Sequence, residues 1–309
     1  MELTSHSQED PKPTAPFLKW PGGKRWLTGF LAPILGRSLT RRYFEPFLGS
    51  GAMYLALQPR TATLSDINED LIQTLRVITQ SADEVVTAVW RLSNTADCFY
   101  RVRASSPRSD IGRAARFLYL NRTAWGGIYR LNRFGEFNTP FGNSGRVICR
   151  RKAVVDAARH FERADLECTG FEDAVSRAQA GDVVYADPPY AGPNSGHESF
   201  MRYTPGRFRW RDQVLLAEVA LDAAERGAVV AVSGRSDFEV EALYPGWTTM
   251  HLARNCRVSR RVDARAAFNE VVLLSPNANL GDFDLRSMRS PSSSRPIDRR
   301  PSPARMLVS

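Results

Sequence analysis

The chain has 309 residues, 43% of them hydrophobic, enough for one large domain or two modest ones with a sizeable core. Its 42 Lys and Arg exceed 33 Asp and Glu, a formal net charge of +9. This favours an anionic partner such as nucleic acid, although a basic surface that merely solvates the protein gives the same excess. Four scattered cysteines without a CxxC pair, four dispersed histidines, no apolar run near the roughly 18 residues of a membrane helix and a polar N-terminus argue against a disulfide scaffold, a zinc site, a membrane span and a secretory signal; a soluble cytoplasmic protein is expected.

Residues 1–16 are polar and Pro-bearing and are expected to be disordered. The next stretch, Phe17–Trp26 (FLKWPGGKRW), contains a Pro-Gly-Gly turn with accessible amides. Lys19 and Lys24 flank that turn and Trp20 offers a stacking face; a basic surface turn with a half-buried Trp fits the same residues. RRYFEPF then reads as a strand and GAMYLALQ as a helix. At their junction, FEPFLGSGAM sets Gly49 and Gly51 where a ligand can approach closely and a helix N-terminus favours polar groups. It is not the dinucleotide GxGxxG fingerprint, because Tyr54 occupies the third glycine position. A second strand, ATLSD, ends at Asp66 before the helical pattern NEDLIQTLRVITQ. An acid there can accept hydrogen bonds from ribose hydroxyls or cap the helix that follows; together with the glycines it suggests an adenosine-bearing cofactor.

Residues 81–163 are mostly helical in pattern and crowded with Arg, including Arg101, Arg103, Arg108, Arg113, Arg116, Arg122, Arg130 and Arg133. The Gly- and Asn-rich stretch TAWGGIYRLNRFGEFNTPFGNSG is too long and too aromatic for a plain linker and reads as the binding loop of an inserted subdomain. In GDVVYADPPYAG, Gly181–Gly192, an apolar strand ends in a carboxylate, two prolines and an aromatic ring. Asp187 is an acceptor, the prolines Pro188 and Pro189 fix the backbone so that the Pro188 carbonyl has a defined direction, and Tyr190 can stack on a planar base. The set suits an exocyclic amine with two hydrogens to be accepted; a Pro-Pro turn capped by Asp is the structural alternative. Glu45, Asp66 and Asp187 lack the supporting His or phosphate loop of a metal site, so no metal is expected. A helix from about Asp212 to Arg226, closed by Gly227, precedes the strand AVVAVSG. Strands alternating with helices predict an α/β fold with a parallel sheet. Residues 276–309, rich in Ser, Pro and Arg, are expected to form a disordered basic tail.

Four boxes in this order resemble the Dam-type (class alpha) adenine-N6 DNA methyltransferases: Lys-Trp-x-Gly-Gly-Lys, Phe-Glu-Pro-Phe-x-Gly-x-Gly, FLYLNR…GIYRLN…GEFNTPFG between Phe117 and Gly142, and Asp-Pro-Pro-Tyr. The likeness spans roughly Phe17 to Ser275. It implies a Rossmann-like, S-adenosylmethionine-dependent core, 17–80 and 164–275, around a mainly helical target-recognition insert, 81–163. It implies Trp20, Lys24, Glu45, Phe47, Gly49, Gly51, Asp66 and Asp187 at the cofactor, with S-adenosylhomocysteine as product. Asp187, Pro188, Pro189 and Tyr190 would carry the chemistry on a flipped-out adenine. Lys19, Arg122, Trp125, Ile128, Arg130, Asn132 and Pro140 would meet double-stranded DNA, at a GATC-like site. Gly126 stands where GATC-specific relatives often carry Asn, and Gly234 where many members have Ser-Asn. A monomer on the duplex would suffice, and a cognate restriction endonuclease or a nucleoid association are compatible with such an enzyme. Methylation of RNA or of a protein glutamine, and a non-catalytic DNA-binding relative, are the competing readings.

Overall fold

Short, continuous apolar runs alternate along the chain with longer runs of period 3.6, and the strands and helices follow that alternation. The computed structural model describes residues 14–132, 134–142, 148–191, 208–255 and 267–281. The strands are β1 (Tyr43–Glu45), β2 (Ala62–Ser65), β3 (Ala164–Glu167), β4 (Val183–Ala186), β5 (Val229–Arg235), β6 (Thr248–Asn255) and β7 (Ala267–Leu274). The helices are α1 (Arg25–Ser38), α2 (Ala52–Leu57), α3 (Glu69–Trp90), α4 (Ala96–Ala104), α5 (Asp110–Thr123), α6 (Arg151–Phe161), α7 (Phe171–Ser176), α8 (Trp210–Glu225) and α9 (Phe238–Glu241). Arg133, the basic stretch 256–266, residues 1–13 and the tail from 282 lie outside the described residues.

The seven strands form one sheet in the order β3-β2-β1-β4-β5-β7-β6. Strands β1 to β5 are parallel, and β7 runs antiparallel between β5 and β6. Strand β4 is buried along its whole length, as a parallel strand covered on both faces must be. Its side chains alternate: Val183 and Tyr185 join the apolar cluster that includes α1, α3 and α5, while Val184 and Ala186 join the one beneath α8. Strand order reverses between β1 and β4, so a crevice opens beyond their carboxyl ends, the place where open α/β sheets bind ligands.

The helices start and stop on local chemistry. Asn68 caps α3, its side-chain oxygen accepting from the Leu71 amide at 3.1 Å, with Glu69 and Asp70 in the first turn. Asp66 is therefore not the cap of that helix. The helix also runs well past Gln80, bending at Ser81, whose φ of −144° and ψ of 46° are not helical. Helix α8 closes as expected at Gly227, with φ of +94°. The Gly227 amide donates to Ala224 and the Ala228 amide to Ala223, each at 3.0 Å, the paired bonds of a Schellman closure.

Residues 81–163 comprise the second part of α3, then α4, α5, an arm and α6. Helix α3 packs against both α5 and α6, and the same apolar cluster runs from the sheet into these helices. The arm is held by two antiparallel bridges, Ala124 with Phe141 and Leu131 with Phe137. Of the residues expected in a disordered tail, 276–281 are described and dock on the core. Asn277 donates through Nδ2 to the Ala224 and Ala228 carbonyls at 2.6 and 3.1 Å, and Ala278 and Leu280 pack on the core. Those two apolar side chains and the amide pairing offset the Ser- and Pro-rich composition as far as Gly281.

One buried amide ties the segment before α1 to α5. Asn121, 0% exposed, accepts from the Lys19 amide at 2.9 Å and donates to the Lys19 carbonyl at 2.7 Å. Asn121→Ala leaves both backbone groups without their partner. A loss of about 2–4 kcal/mol is expected in urea unfolding; a change below about 0.5 kcal/mol, the scatter of neutral surface substitutions, would show that the tie contributes nothing.

Candidate active site

A cavity of about 320 Å³ occupies the crevice at the β1/β4 reversal, within the range of about 300–1,000 Å³ common for small-molecule sites. Its lining brings together most of the residues singled out in the sequence: Trp20, Lys24, Glu45, Phe47, Gly49, Asp66, Asp187, Pro188, Pro189 and Tyr190. Gly51 does not line it.

The glycines shape the wall from behind. Gly49 has φ of +50°, and a Cβ there would fall 2.8 Å from Trp20 Cδ1, so the indole lies where any side chain would stand. Gly51, φ +64°, makes room for the Phe161 ring instead, at 3.0 Å from a would-be Cβ. Both glycines therefore serve close approach within the protein, and Gly49 also faces the cavity. The turn amides are also engaged: Leu48 donates to the Ser65 carbonyl, Gly49 to Asp66 Oδ2, Gly51 to the Leu48 carbonyl and Tyr54 to Glu45 Oε2. A pyrophosphate would find these donors already used. Asp66 accepts from the Gly49 and Asn68 amides at 3.1 and 2.9 Å. Burial raises its carboxyl above the ordinary value, and the amides of Asn68, Gly49 and Ile67 oppose that rise.

Lys24 sits at the centre of the opposite wall with 3% of its side chain exposed. Its Nζ donates to Asp187 Oδ1 at 2.8 Å, to Tyr190 Oη at 2.7 Å and to the Gly22 carbonyl at 3.3 Å, and Glu270 Oε2 lies 3.5 Å away. Burial works against the ammonium, but Asp187, Tyr190 and Glu270 together outweigh it and raise the Lys24 pKa. Asp187 Oδ1 also accepts from Ser233 Oγ at 2.9 Å, and Tyr185 Oη lies 2.9 Å from that same oxygen. Because the Ser233 proton is given to Asp187, the Tyr185 hydroxyl donates to Ser233. Both donors to Asp187 thus converge on Oδ1. Among the described residues none reaches Oδ2 or the Pro188 carbonyl.

Glu45 ends β1 fully enclosed, accepting at Oε2 from the Tyr43 hydroxyl at 2.8 Å and the Tyr54 amide at 3.1 Å. Burial pushes its pKa from 4.5 up to about 8; those two donors resist the rise and the nearby Asp187 charge adds to it. The rise brings the carboxyl's titration into the neutral range.

The residues expected at DNA divide into two groups. Trp125 is 62% exposed and Arg130 is exposed, its Nε donating to Asn138 Oδ1 at 2.6 Å. Pro140 is exposed, accepting the Trp125 amide at 2.9 Å, and Ile128 is half-buried. Three others are engaged inside the protein. Arg122 donates to the Ile148 and Phe17 carbonyls at 2.8 and 3.2 Å. Lys19 Nζ donates to the Arg122 carbonyl at 2.8 Å. Asn132 accepts from the Phe134 and Glu136 amides and donates to Glu136 Oε2. These side chains brace the arm.

Several site residues escaped the sequence reading. Phe171 stacks on Phe47 at 5.4 Å and Phe208 meets Phe47 edge-on at 5.8 Å, making an aromatic wall. Ser233, Tyr185 and Glu270 each place a polar group inside an apolar strand, and that interruption was the available signal. Gly234 does not line the cavity, and a Cβ there would meet nothing within 4 Å. Among the described residues no group of three or more His, Cys, Asp or Glu is arranged to hold a metal ion, and no helix is long and apolar enough to cross a membrane.

The family model described as D12 class N6 adenine-specific DNA methyltransferase matches residues 20–256. The type II methyltransferase M1.LlaDCHI of Lactococcus lactis subsp. cremoris is 28% identical over 269 residues, covering 84% of this chain and 94% of its own. The DNA adenine methylase of Escherichia coli K12 is 32% identical over 272 residues, 84% of this chain and 97% of its own. That of Vibrio cholerae serotype O1 (strain O395) is 31% identical over 265 residues, 84% and 95% respectively.

The Glu45 environment makes stability depend on pH. With the folded pKa raised from 4.5 to about 8, the folded state binds the proton more tightly than the unfolded chain. Its contribution is present in full below pH 4.5 and is lost as pH rises towards and through 8. Glu45→Gln should therefore flatten the fall in melting temperature between those pH values. A variant with the same slope as the parent would refute a protonated Glu45.

Proposed function

The chain belongs to the D12 class N6 adenine-specific DNA methyltransferases, and we propose that it moves a methyl group from S-adenosylmethionine to the N6 amino group of an adenine flipped out of duplex DNA. The observation that carries this reading is the frame at the end of β4. Among the described residues, Asp187 is held through Oδ1 alone and none donates to the Pro188 carbonyl, and Tyr190 is fixed beside them by Lys24. Two acceptors and one ring are what an amino group with two hydrogens on a planar base requires.

The cavity chemistry suits the cofactor. Trp20 and the aromatic wall of Phe47, Phe171 and Phe208 offer flat apolar faces, and Asp66 offers a carboxylate for ribose hydroxyls. The engaged turn amides favour a ligand without a pyrophosphate. Bound there, the cofactor supplies an electrophilic methyl on a sulfonium sulfur.

The protein must make N6 a nucleophile, because its lone pair is delocalised into the ring. A base inside a duplex is out of reach, so it must leave the stack at a cost of a few kcal/mol. Tyr190 then holds its plane. Asp187 Oδ2 and the Pro188 carbonyl accept the two N6 hydrogens, draw the nitrogen towards tetrahedral geometry and stabilise its developing positive charge. Asp187 Oδ2 is also the acceptor for the proton that N6 sheds afterwards. Alignment of the two reactants supplies much of the acceleration. Residues 81–163 act as the target-recognition insert, with Trp125 against the unstacked duplex and Arg130 at a guanine edge. The reaction takes place where cellular DNA is, in the cytoplasm and at the nucleoid.

Asp187→Ala should lower methyl transfer to duplex DNA by at least about 10²–10³-fold while gel-shift binding to the duplex persists. Undiminished transfer would remove Asp187 from this role. Arg130→Ala should relax the methylated motif, with about 1–3 kcal/mol of discrimination lost at one base pair. Methylation-sensitive long-read sequencing of DNA from expressing cells reads this directly, and an unchanged motif would take Arg130 out of recognition.

A further inference from the structure

We infer that Glu270 is a positioning residue of the methyl transfer: its carboxylate shares the Lys24 ammonium with Asp187 and so sets how strongly Lys24 draws on the Asp187 and Tyr190 oxygens. The inference rests on the proposed role of Asp187 at adenine N6. Lys24 Nζ has three protons and four oxygens around it: Tyr190 Oη at 2.7 Å, Asp187 Oδ1 at 2.8 Å, the Gly22 carbonyl at 3.3 Å and Glu270 Oε2 at 3.5 Å. Glu270 is the residue of β7 that brings a second carboxylate to this point, and its side chain is 10% exposed. It shares a strand face with Val272 and Leu274, which pack in the cluster containing Tyr185.

A buried ammonium beside a single carboxylate would concentrate its charge there. That would weaken Asp187 as an acceptor for N6 hydrogens and as a base for the departing proton. Glu270 spreads the charge over two carboxylates while leaving the geometry in place. The titratable groups about Asp187 are Lys24 from the segment before α1, Glu45 of β1, Tyr185 of β4, Tyr190 of the following loop and Glu270 of β7; Ser233 of β5 adds a neutral donor. Replacing Glu270 with a neutral isostere leaves the whole Lys24 charge on Asp187 and removes a like charge nearby. The Asp187 oxygens are then drawn more strongly to Lys24, and the poorer acceptor lowers kcat.

The test uses full-length wild type, Glu270→Gln and Glu270→Asp, with labelled methyl transfer from S-adenosylmethionine to duplex DNA and melting followed by circular dichroism. Expected for Glu270→Gln is a kcat lower on the order of 10²-fold with a KM for S-adenosylmethionine close to wild type. Glu270→Asp, which keeps the charge, should recover most of the lost kcat. A folded Glu270→Gln with wild-type kcat overturns the inference, even if its melting temperature falls. Should Glu270→Gln fail to fold, Glu270→Asp alone decides: a folded variant with kcat within about tenfold of wild type supports the inference, and one whose kcat falls as far as that of Asp187→Ala overturns it. A wild-type protein that methylates no adenine fails the underlying reading instead, and that arm is read first.

Discussion

The ammonium of Lys24 is 3% exposed, so oxygens of the protein must replace most of the water that would otherwise solvate it. Those oxygens come from separate parts of the chain: Gly22 in the turn before α1, Asp187 and Tyr190 after β4, and Glu270 in β7. A buried cation stripped of one partner is strongly destabilising, which makes the relative positions of these segments a condition of folding. The site is thus ordered before any ligand arrives. Such preorganisation is what an electrostatic frame needs to stabilise charge without rearranging during the reaction.

The sheet makes that convergence available. Reversal of strand order between β1 and β4 brings two loops to one crevice, and the antiparallel β7 reaches the same end from the far side of β5. The Gly49 turn then lets the Trp20 indole close the crevice from the first segment. Each of these contacts has a different sequence separation, and the cavity exists only when all are made.

Much of this was legible in the sequence, and the reasons differ by element. The end of α8 was read correctly because Gly227 carries a conformation that other residues resist. The grouping of Trp20, Lys24, Phe47, Asp66 and Asp187 followed from boxes in a known order. The strain-free turns at Gly49 and Gly51 are legible in the sequence, but that Trp20 and Phe161 fill the space beside them depends on tertiary packing. The resemblance puts Arg122 and Lys19 at DNA, and the carbonyls their donors meet inside the protein are ones that no local pattern announces. Ser233 and Glu270 were overlooked because a single polar residue in a strand has no partner until the strands are aligned. Two apolar residues and one amide dock residues 276–281 against a Ser- and Pro-rich composition that gives no sign of it.

The Asn121 amide grips both backbone groups of Lys19, one peptide away from Trp20. Trp20 in turn rests on the bare backbone of Gly49. The helix that leads into the exposed arm and the indole that walls the cavity are therefore joined by a linkage with almost no slack. A displacement of α5 meets no loop among these contacts before it reaches the cavity wall. The amide tie and the indole packing are mechanically in series, so strain applied at one end of the linkage is felt at the other.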